Sequence, residues 1–424
     1  MRHGAFPDGI NRQILIDWFH DGRQRSREVF AIPKPEAYFD RPIPLRNPIV
    51  FYEGHLPAFI VNTLLKLTLG QAGIDEHYET LFARGIDPDS PDAAKAPTDV
   101  WPSRECVQDY GKTADARIEQ ALREGDIDIL DGEAALAILE HEQMHQETLL
   151  YMFHEMPYEK KIARKPFRAA PPRVAPPPSK ALRVSIPAGV ATLGGDGFGW
   201  DNEFPAHRIE VPAFEIDVHD VTNGQYLAYL EAAGAEPPHF WTRRDDAWYW
   251  RGMFALVPLP LDAPVYVTQE EAAAYAQWRG MRLPTEGEYH RAAFGTPSGE
   301  ERRYPWGDAL PDATRGNFGF THWDPVPVGS YPAGASAWGV HDLVGNGWEW
   351  TSTVFDGFPG FRPMVSYPNY SADFFDGQHF VLKGASPATM PQLIRRGFRN
   401  WFRPDYPYLY ATFRCVEKEK GSGL

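Results

Sequence analysis

The sequence predicts a two-part chain of α plus α+β class: a four-helix bundle over residues 1–164, then an α+β domain over 184–424. Three observations predict it. Four segments between residues 11 and 153 carry apolar side chains at helical spacing. Residues 165–183 hold six prolines, and from 184 onward short β-like runs alternate with Gly, Pro, Asn and Asp. At 424 residues the chain also exceeds what one core organises, taking about 150 residues per domain as a guide.

The first helix is expected in NRQILIDWFHDGRQRSREVF (11–30), with Ile14, Leu15, Trp18 and Phe19 on one side. The second covers Pro48 to Leu69, where Val50, Phe51, Leu56, Phe59, Leu64 and Leu65 are apolar. A third follows Pro102-Ser103 and runs through ECVQDYGKTADARIEQALREG. The fourth, EAALAILEHEQMHQETLLYMF (133–153), follows Asp131-Gly132 as a cap. Four such helices joined by loops make a bundle. The segment KPFRAAPPRVAPPPSKALR (165–183) lacks too many amide donors for a helix or central strand and reads as an extended linker. Beyond it, strands are expected in VSIPAGVATLGG, HRIEVPAFEIDVHDVT, HFVLKGAS and YATFRCV, with helices near Asn223–Ala233 and Gln269–Arg279. The 13 Trp, 40 Pro and 37 Gly suggest irregular loops held by large rings. No period of 20–50 residues repeats, which argues against solenoids and propellers.

Composition narrows the function. The net charge of −15 lacks the electrostatic footprint of a nucleic-acid or anionic-membrane binder. No run of about 18 uncharged apolar residues spans a bilayer. The N-terminal MRHGAFPDGINRQ has no apolar signal core, and two cysteines make no disulfide framework, so a cytoplasmic protein is expected.

Chemistry concentrates on the fourth helix. His141 and His145 are one turn apart on one face, a spacing at which two imidazoles can hold one metal. Ile138 and Leu149 continue that face, so it is expected to point into the bundle, where an imidazole needs a partner. The pair alone leaves open a metal site and a hydrogen-bonded pair. HEQMH also fits the HExxH pattern of zinc proteases, but nothing downstream resembles their usual third ligand. Glu147 is available as a supporting acceptor. His55, in NPIVFYEGHLPAF, is a core histidine or a third ligand; three inward imidazoles would suit Fe(II), Zn or Cu.

With His55 and HEQMHQET, the helical half resembles the DinB-like domain of the ergothioneine sulfoxide synthases. The second half resembles the formylglycine-generating-enzyme (sulfatase-modifying factor) fold, a C-type-lectin-like variant, through IPAGVATLGG, RLPTEGEYHRAA, YPWGD, GVHDLVGNGWEWTST, VLKGAS and FRNW…ATFRCV. Within that domain RLPTEGEYHRAA and LVGNGWEWTS are expected as scaffold: Gly345, Gly347 and Trp348–Trp350 as a tight turn, Arg282 with Glu286 as a loop-fixing pair, Glu288 as a cap. The resemblance implies non-haem Fe(II) on His55, His141 and His145, with O2, hercynine and a chalcogen donor as reactants. The late cysteine pair that binds copper in formylglycine-generating enzymes is missing; Cys415 reads as a small core residue.

The resemblance further places Asn400 and Trp401 at the hercynine site, where an indole face attracts a quaternary ammonium by about 0.5–2 kcal/mol. Actinobacterial relatives that use γ-glutamylcysteine carry an Asp after this pair; here Phe402 and Arg403 follow. A lost charge-assisted bond removes about 1.5–3 kcal/mol, so a donor of another shape is expected. Met144 stands where some relatives carry Gln, and Tyr367 is the candidate proton donor. These departures look most like the selenoneine synthase branch, which takes selenium from a selenosugar. The alternatives are an ergothioneine-type synthase using a thiol (γ-glutamylcysteine or cysteine), a non-catalytic lectin-like binding protein, and a zinc-dependent thiol transferase.

Overall fold

A computed structural model describes residues 11–83, 101–163, 182–195 and 197–417. The chain forms two compact units: Met1–Arg164 with Met364–Tyr367, and Lys165–Pro363 with Pro368–Leu424. Of the expected linker 165–183, only Leu182 and Arg183 lie among the described residues.

In the first unit, Asn11 caps helix α1 (Arg12–Val29) through its side-chain oxygen. The buried stripe is Leu15, Phe19, Gly22, Ser26 and Val29, a strict four-three spacing. Ile14, expected inside, is 48% exposed, and Trp18 is half-buried. The stripe was hidden because Gly22 and Ser26 are not apolar, although both are core positions. Helix α2 (Ile49–Ile60) runs directly into a π-helical stretch, Val61–Thr68. Pro57 inside α2 lacks the amide that would bond Glu53. In the π stretch the bonds reach five residues back, as Leu69 N–H to the Leu64 carbonyl (3.0 Å). After the short α3 (Glu76–Leu81), α4 (Arg104–Glu124) starts at the Ser103 cap.

Helix α5 (Glu133–Glu155) begins at the expected residue, with Gly132 as its N-cap. Asp131 makes no capping bond; Leu130, Asp131 and Gly132 form a left-handed turn with φ of 54°, 56° and 76°. Glu133 instead accepts from the amide and hydroxyl of Ser366 (2.9 and 2.8 Å). That bond is why the four residues Met364–Tyr367 belong with the helices and not with the domain that surrounds them in sequence. In packing, α1 lies against α4 and α5, and so does α2. The helices therefore close a ring in the order α1, α4, α2, α5.

Among its described residues the second unit holds three α-helices, α6 (Asn223–Ala233), α7 (Gln269–Trp278) and α8 (Glu286–Phe294). Each opens with a reciprocal capping box, Thr222 with Gln225, Thr268 with Glu271 and Thr285 with Glu288. One sheet orders β1 (Arg183–Ile186), β4 (Phe214–Asp217), β13 (Val416–Glu417) and β8 (Met281–Arg282). A second orders β11 (Asn400–Phe402), β10 (Phe380–Ala385), β9 (Gly347–Val354) and β12 (Ala411–Thr412), the last parallel to β9. A hairpin of β2 (Gly189–Leu193) and β3 (His207–Val211) and a three-stranded sheet of β5 (Trp241–Arg244), β6 (Ala247–Arg251) and β7 (Leu256–Pro258) complete it.

Two expectations for this unit are corrected, and one sheet is additional to them. RLPTEGEYHRAA is not a loop; it carries α8, and Arg282 pairs with Glu288 (2.7 and 2.6 Å) while Glu286 faces Arg399 (3.1 Å) and Lys383 (3.6 Å). Glu288 serves Thr285 and Arg282 at once, which leaves Glu286 for the buried bases. The Gly-Trp segment turns only at Gly345 and Asn346 (φ 96° and 68°), and Gly347–Val354 is a strand. A Cβ at Gly345 would stand 2.9 Å from the Asn317 backbone, so the turn requires glycine. Gly347–Thr351 are all buried, and the polar residues that alternate with the tryptophans are bonded: Glu349 accepts from Arg414, and Thr351 donates to the Val381 carbonyl. The sheet β5–β7 was not anticipated, although Asp245-Asp246, both at positive φ, is a hairpin turn between aromatic runs. Cys415 is buried and its thiol is pushed up, mainly by burial, as a core residue would be. Among the described residues no helix is long and apolar enough to cross a membrane.

Candidate metal centre

His55 sits in the middle of α2, and its ring is held by backbone. Its Nδ1 lies 2.9 Å from the Phe82 carbonyl and 2.7 Å from that of Ala83. Carbonyls only accept, so Nδ1 carries the hydrogen and Nε2 presents a lone pair. Gly54 makes this approach possible, because a Cβ there would meet the Phe82 ring at 2.5 Å.

That lone pair points at the fourth helix. His55 Nε2 is 3.3 Å from His141 Nε2 and 3.2 Å from His145 Nε2, and one nitrogen from each ring lies within 4.8 Å of the others. An ion about 2.1 Å from each nitrogen separates them by about 3.0–3.4 Å. One lone pair cannot accept from two N–H donors, whereas three lone pairs converge naturally on a cation. All three rings are held below the usual imidazole range. Burial is the main cause; at His141 and His145 the neighbouring imidazoles add to it. Neutral imidazoles are the form that binds metal. The donor set and its spacing therefore fit a divalent transition metal.

The rest of α5 explains why these two histidines face the centre. Glu142 and Gln146 bind α1: Glu142 accepts from Arg23 (2.9 Å) and Ser26 (2.6 Å), and Gln146 donates to the Gly22 carbonyl and Ser26 (both 2.9 Å). Glu142 is thus committed elsewhere and does not stand at the ion, as the general base of an HExxH protease would. Arg23 and Ser26 were not identified from sequence; the heptad-like stripe of α1 was the available signal.

Aromatic rings pack around the trio. Phe59 stacks on His141 at 3.5 Å and 10°, Phe51 on His55 at 5.1 Å and 17°, and Tyr52 is 5.8 Å from His145. Tyr367 lies 5.2 Å from Phe59 and 6.4 Å from His141, ring to ring. Met144, half-buried, lies between the two histidines on α5.

The other expected residues lie in the second unit, on and beside the edge strand β11. Trp401 stacks on Phe355 (4.2 Å, 5°), with Tyr370 at 5.2 Å and Phe374 at 5.6 Å. Asn400 precedes it, so the two alternate across the strand, and Asn400 Oδ1 accepts from the Trp401 amide (3.0 Å). Phe402 stacks on Tyr406 (5.1 Å), which meets Tyr408, which meets His239. Arg403 is exposed and donates to Gln378.

The model of the sulfatase-modifying factor enzyme 1-like domain matches residues 170–419. The chain is similar to a hercynine oxygenase of Mycolicibacterium smegmatis, 37% identical over 308 residues, 66% of this chain and 70% of that protein. It is similar to ergothioneine biosynthesis protein 1 of Neurospora crassa, 30% identical over 491 residues, covering 90% of this chain and 55% of that one. The corresponding protein of Schizosaccharomyces pombe is also 30% identical, over 88% of this chain and 52% of its own length. With a three-histidine centre in its helices and a sulfatase-modifying-factor-like second half, the chain belongs to the hercynine oxygenase family, the ergothioneine sulfoxide synthase type.

Proposed function

We propose that the chain is an O2-dependent, mononuclear non-haem iron enzyme that joins a chalcogen donor to the imidazole of hercynine, with a DinB-like bundle as its metal-binding half. The observation that carries this reading is the convergence of three imidazoles: His55 Nε2 is 3.3 Å from His141 Nε2 and 3.2 Å from His145 Nε2, and all three rings offer nitrogens within 4.8 Å of one another. These residues would hold Fe(II), which when bound supplies the one-electron chemistry O2 requires and favours the deprotonated donor.

The protein's own groups set the stage. The carbonyls of Phe82 and Ala83 fix the tautomer of His55. Burial keeps all three rings neutral and available. Tyr367 bears a phenolic proton and is packed against the centre through Phe59 and His141, which suits the proton donor. Trp401, walled by Phe355, Phe374 and Tyr370, offers the π surface a trimethylammonium seeks, with Asn400 beside it on β11; Met144, on α5, is a proposed substrate contact of the helical unit.

For the donor we propose a selenosugar. The run Phe402, Tyr406, Tyr408 and His239 is a row of rings rather than a pair of charges, and rings stack on sugars; Arg403 stands beside it. A thiol donor is the second reading, supported by the relatives' link to ergothioneine.

The test offers hercynine with selenosugar, γ-glutamylcysteine or cysteine to the iron-loaded protein and follows oxygen uptake and product mass. Expected is hercynine-dependent uptake, with kcat/KM for the selenosugar at least about tenfold above either thiol, about 1.4 kcal/mol in transition-state binding. A preference for a thiol overturns the donor assignment alone. No uptake with any donor overturns the reaction and favours a binding protein; product without oxygen and with zinc favours a thiol transferase.

A further inference from the structure

The three imidazoles are not held alike. His55 is anchored by two carbonyl acceptors, whereas Nδ1 of His141 and Nδ1 of His145 are buried without a hydrogen-bond partner. A metal-binding imidazole ordinarily donates its second N–H to a carbonyl, carboxylate or water, which fixes the ring. At His141 that fixing bond is missing among the described residues, and a ring takes its place. Phe59 lies nearly parallel to the imidazole at 3.5 Å, one turn after His55 on α2. Phe59 is itself held by the Tyr367 ring at 5.2 Å and is only 7% exposed.

We infer that Phe59 is a positioning residue of the metal centre, fixing the His141 ring by stacking where a hydrogen bond would ordinarily do so. This rests on the metal-site reading above. Rotation of an imidazole about its Cβ–Cγ bond is a broad, soft torsion. A flat ring in van der Waals contact with one face removes that freedom without needing a polar atom. Phe51 provides the internal comparison. It is as deeply buried as Phe59 and also faces a ligand ring, but it stands 5.1 Å from His55, whose orientation the two carbonyls already fix.

The experiment compares Phe59→Leu with Phe51→Leu in the full chain, reading Fe(II) dissociation constants and the absorption spectrum of the Co(II)-loaded protein. A stacking role predicts Fe(II) binding at least about tenfold weaker in Phe59→Leu and an altered Co(II) spectrum, in the range known for groups supporting metal ligands. Phe51→Leu should stay within about twofold of the unaltered protein, with an unchanged spectrum. If Phe59→Leu does not fold, Phe59→Met, close in volume and lacking the ring, replaces it with the same expectation. Equal weakening by both positions, or none at Phe59, overturns the inference while leaving the metal site standing. Failure of the unaltered protein to bind Fe(II) or Co(II) overturns the metal site itself.

Discussion

Replacement of His141 by alanine is expected to abolish iron binding and hercynine-dependent oxygen uptake together. The residue contributes one of three converging nitrogens, 3.3 Å from that of His55, so its loss leaves two imidazoles and an apolar gap beneath Phe59. Loss of a supporting group costs about 10–100-fold in metal affinity, and a ligand should cost more. Iron per chain, measured after loading and gel filtration, should fall from near one to background. His145→Ala and His55→Ala should behave alike. Glu142→Gln is the contrast within the same motif. Its carboxylate is spent on Arg23 and Ser26, so the variant should keep its iron while losing thermal stability. A protein that retains iron and turnover without His141 is incompatible with the three-histidine centre.

The second large effect is on stability. Arg414 is fully buried and donates to Glu349 twice (both 2.7 Å), to Asp220 (3.0 Å) and to the carbonyls of Asp217, Val218 and His341. Burial opposes its charge, but the carboxylates outweigh burial and raise its pKa, while burial raises those of Asp220 and Glu349. Arg414→Met removes the cation and leaves two buried carboxylates uncompensated. Breaking such a network from one side costs about 3–5 kcal/mol. Urea unfolding should show that loss, and the triple variant Arg414→Met, Glu349→Gln, Asp220→Asn should recover part of it, because it removes the stranded charges as well. A loss below about 1 kcal/mol, the range of an exposed pair, would show that the Arg414–Glu349–Asp220 network is not a main support of the domain.

What could be read from sequence follows a physical line. Helices with a Thr three residues before a Gln or Glu, such as Thr222 with Gln225 and Thr268 with Glu271, begin where the capping chemistry says. The bundle helices were legible from apolar spacing, and the histidine pair from its period. Features made by backbone were not. The carbonyls of Phe82 and Ala83 that fix His55 carry no side-chain signature, and neither does the left-handed turn at Leu130 and Asp131. Strand β9 alternates Trp348-Glu349-Trp350-Thr351, but its polar face is buried too, against Arg414 and the Val381 carbonyl, which the sequence does not show. Tyr367 was chosen from a loosely matching loop. Its place against His141 depends on the Glu133–Ser366 bond, between residues 233 apart in sequence.

The central claim is that three imidazoles hold one iron. X-ray absorption at the iron edge of the Fe(II)-loaded protein tests it most directly. The claim predicts a first shell of nitrogen and oxygen near about 2.1 Å, with outer-shell scattering that fits three imidazoles. A first shell without imidazole scattering, or one that fits fewer than three imidazoles, would contradict it.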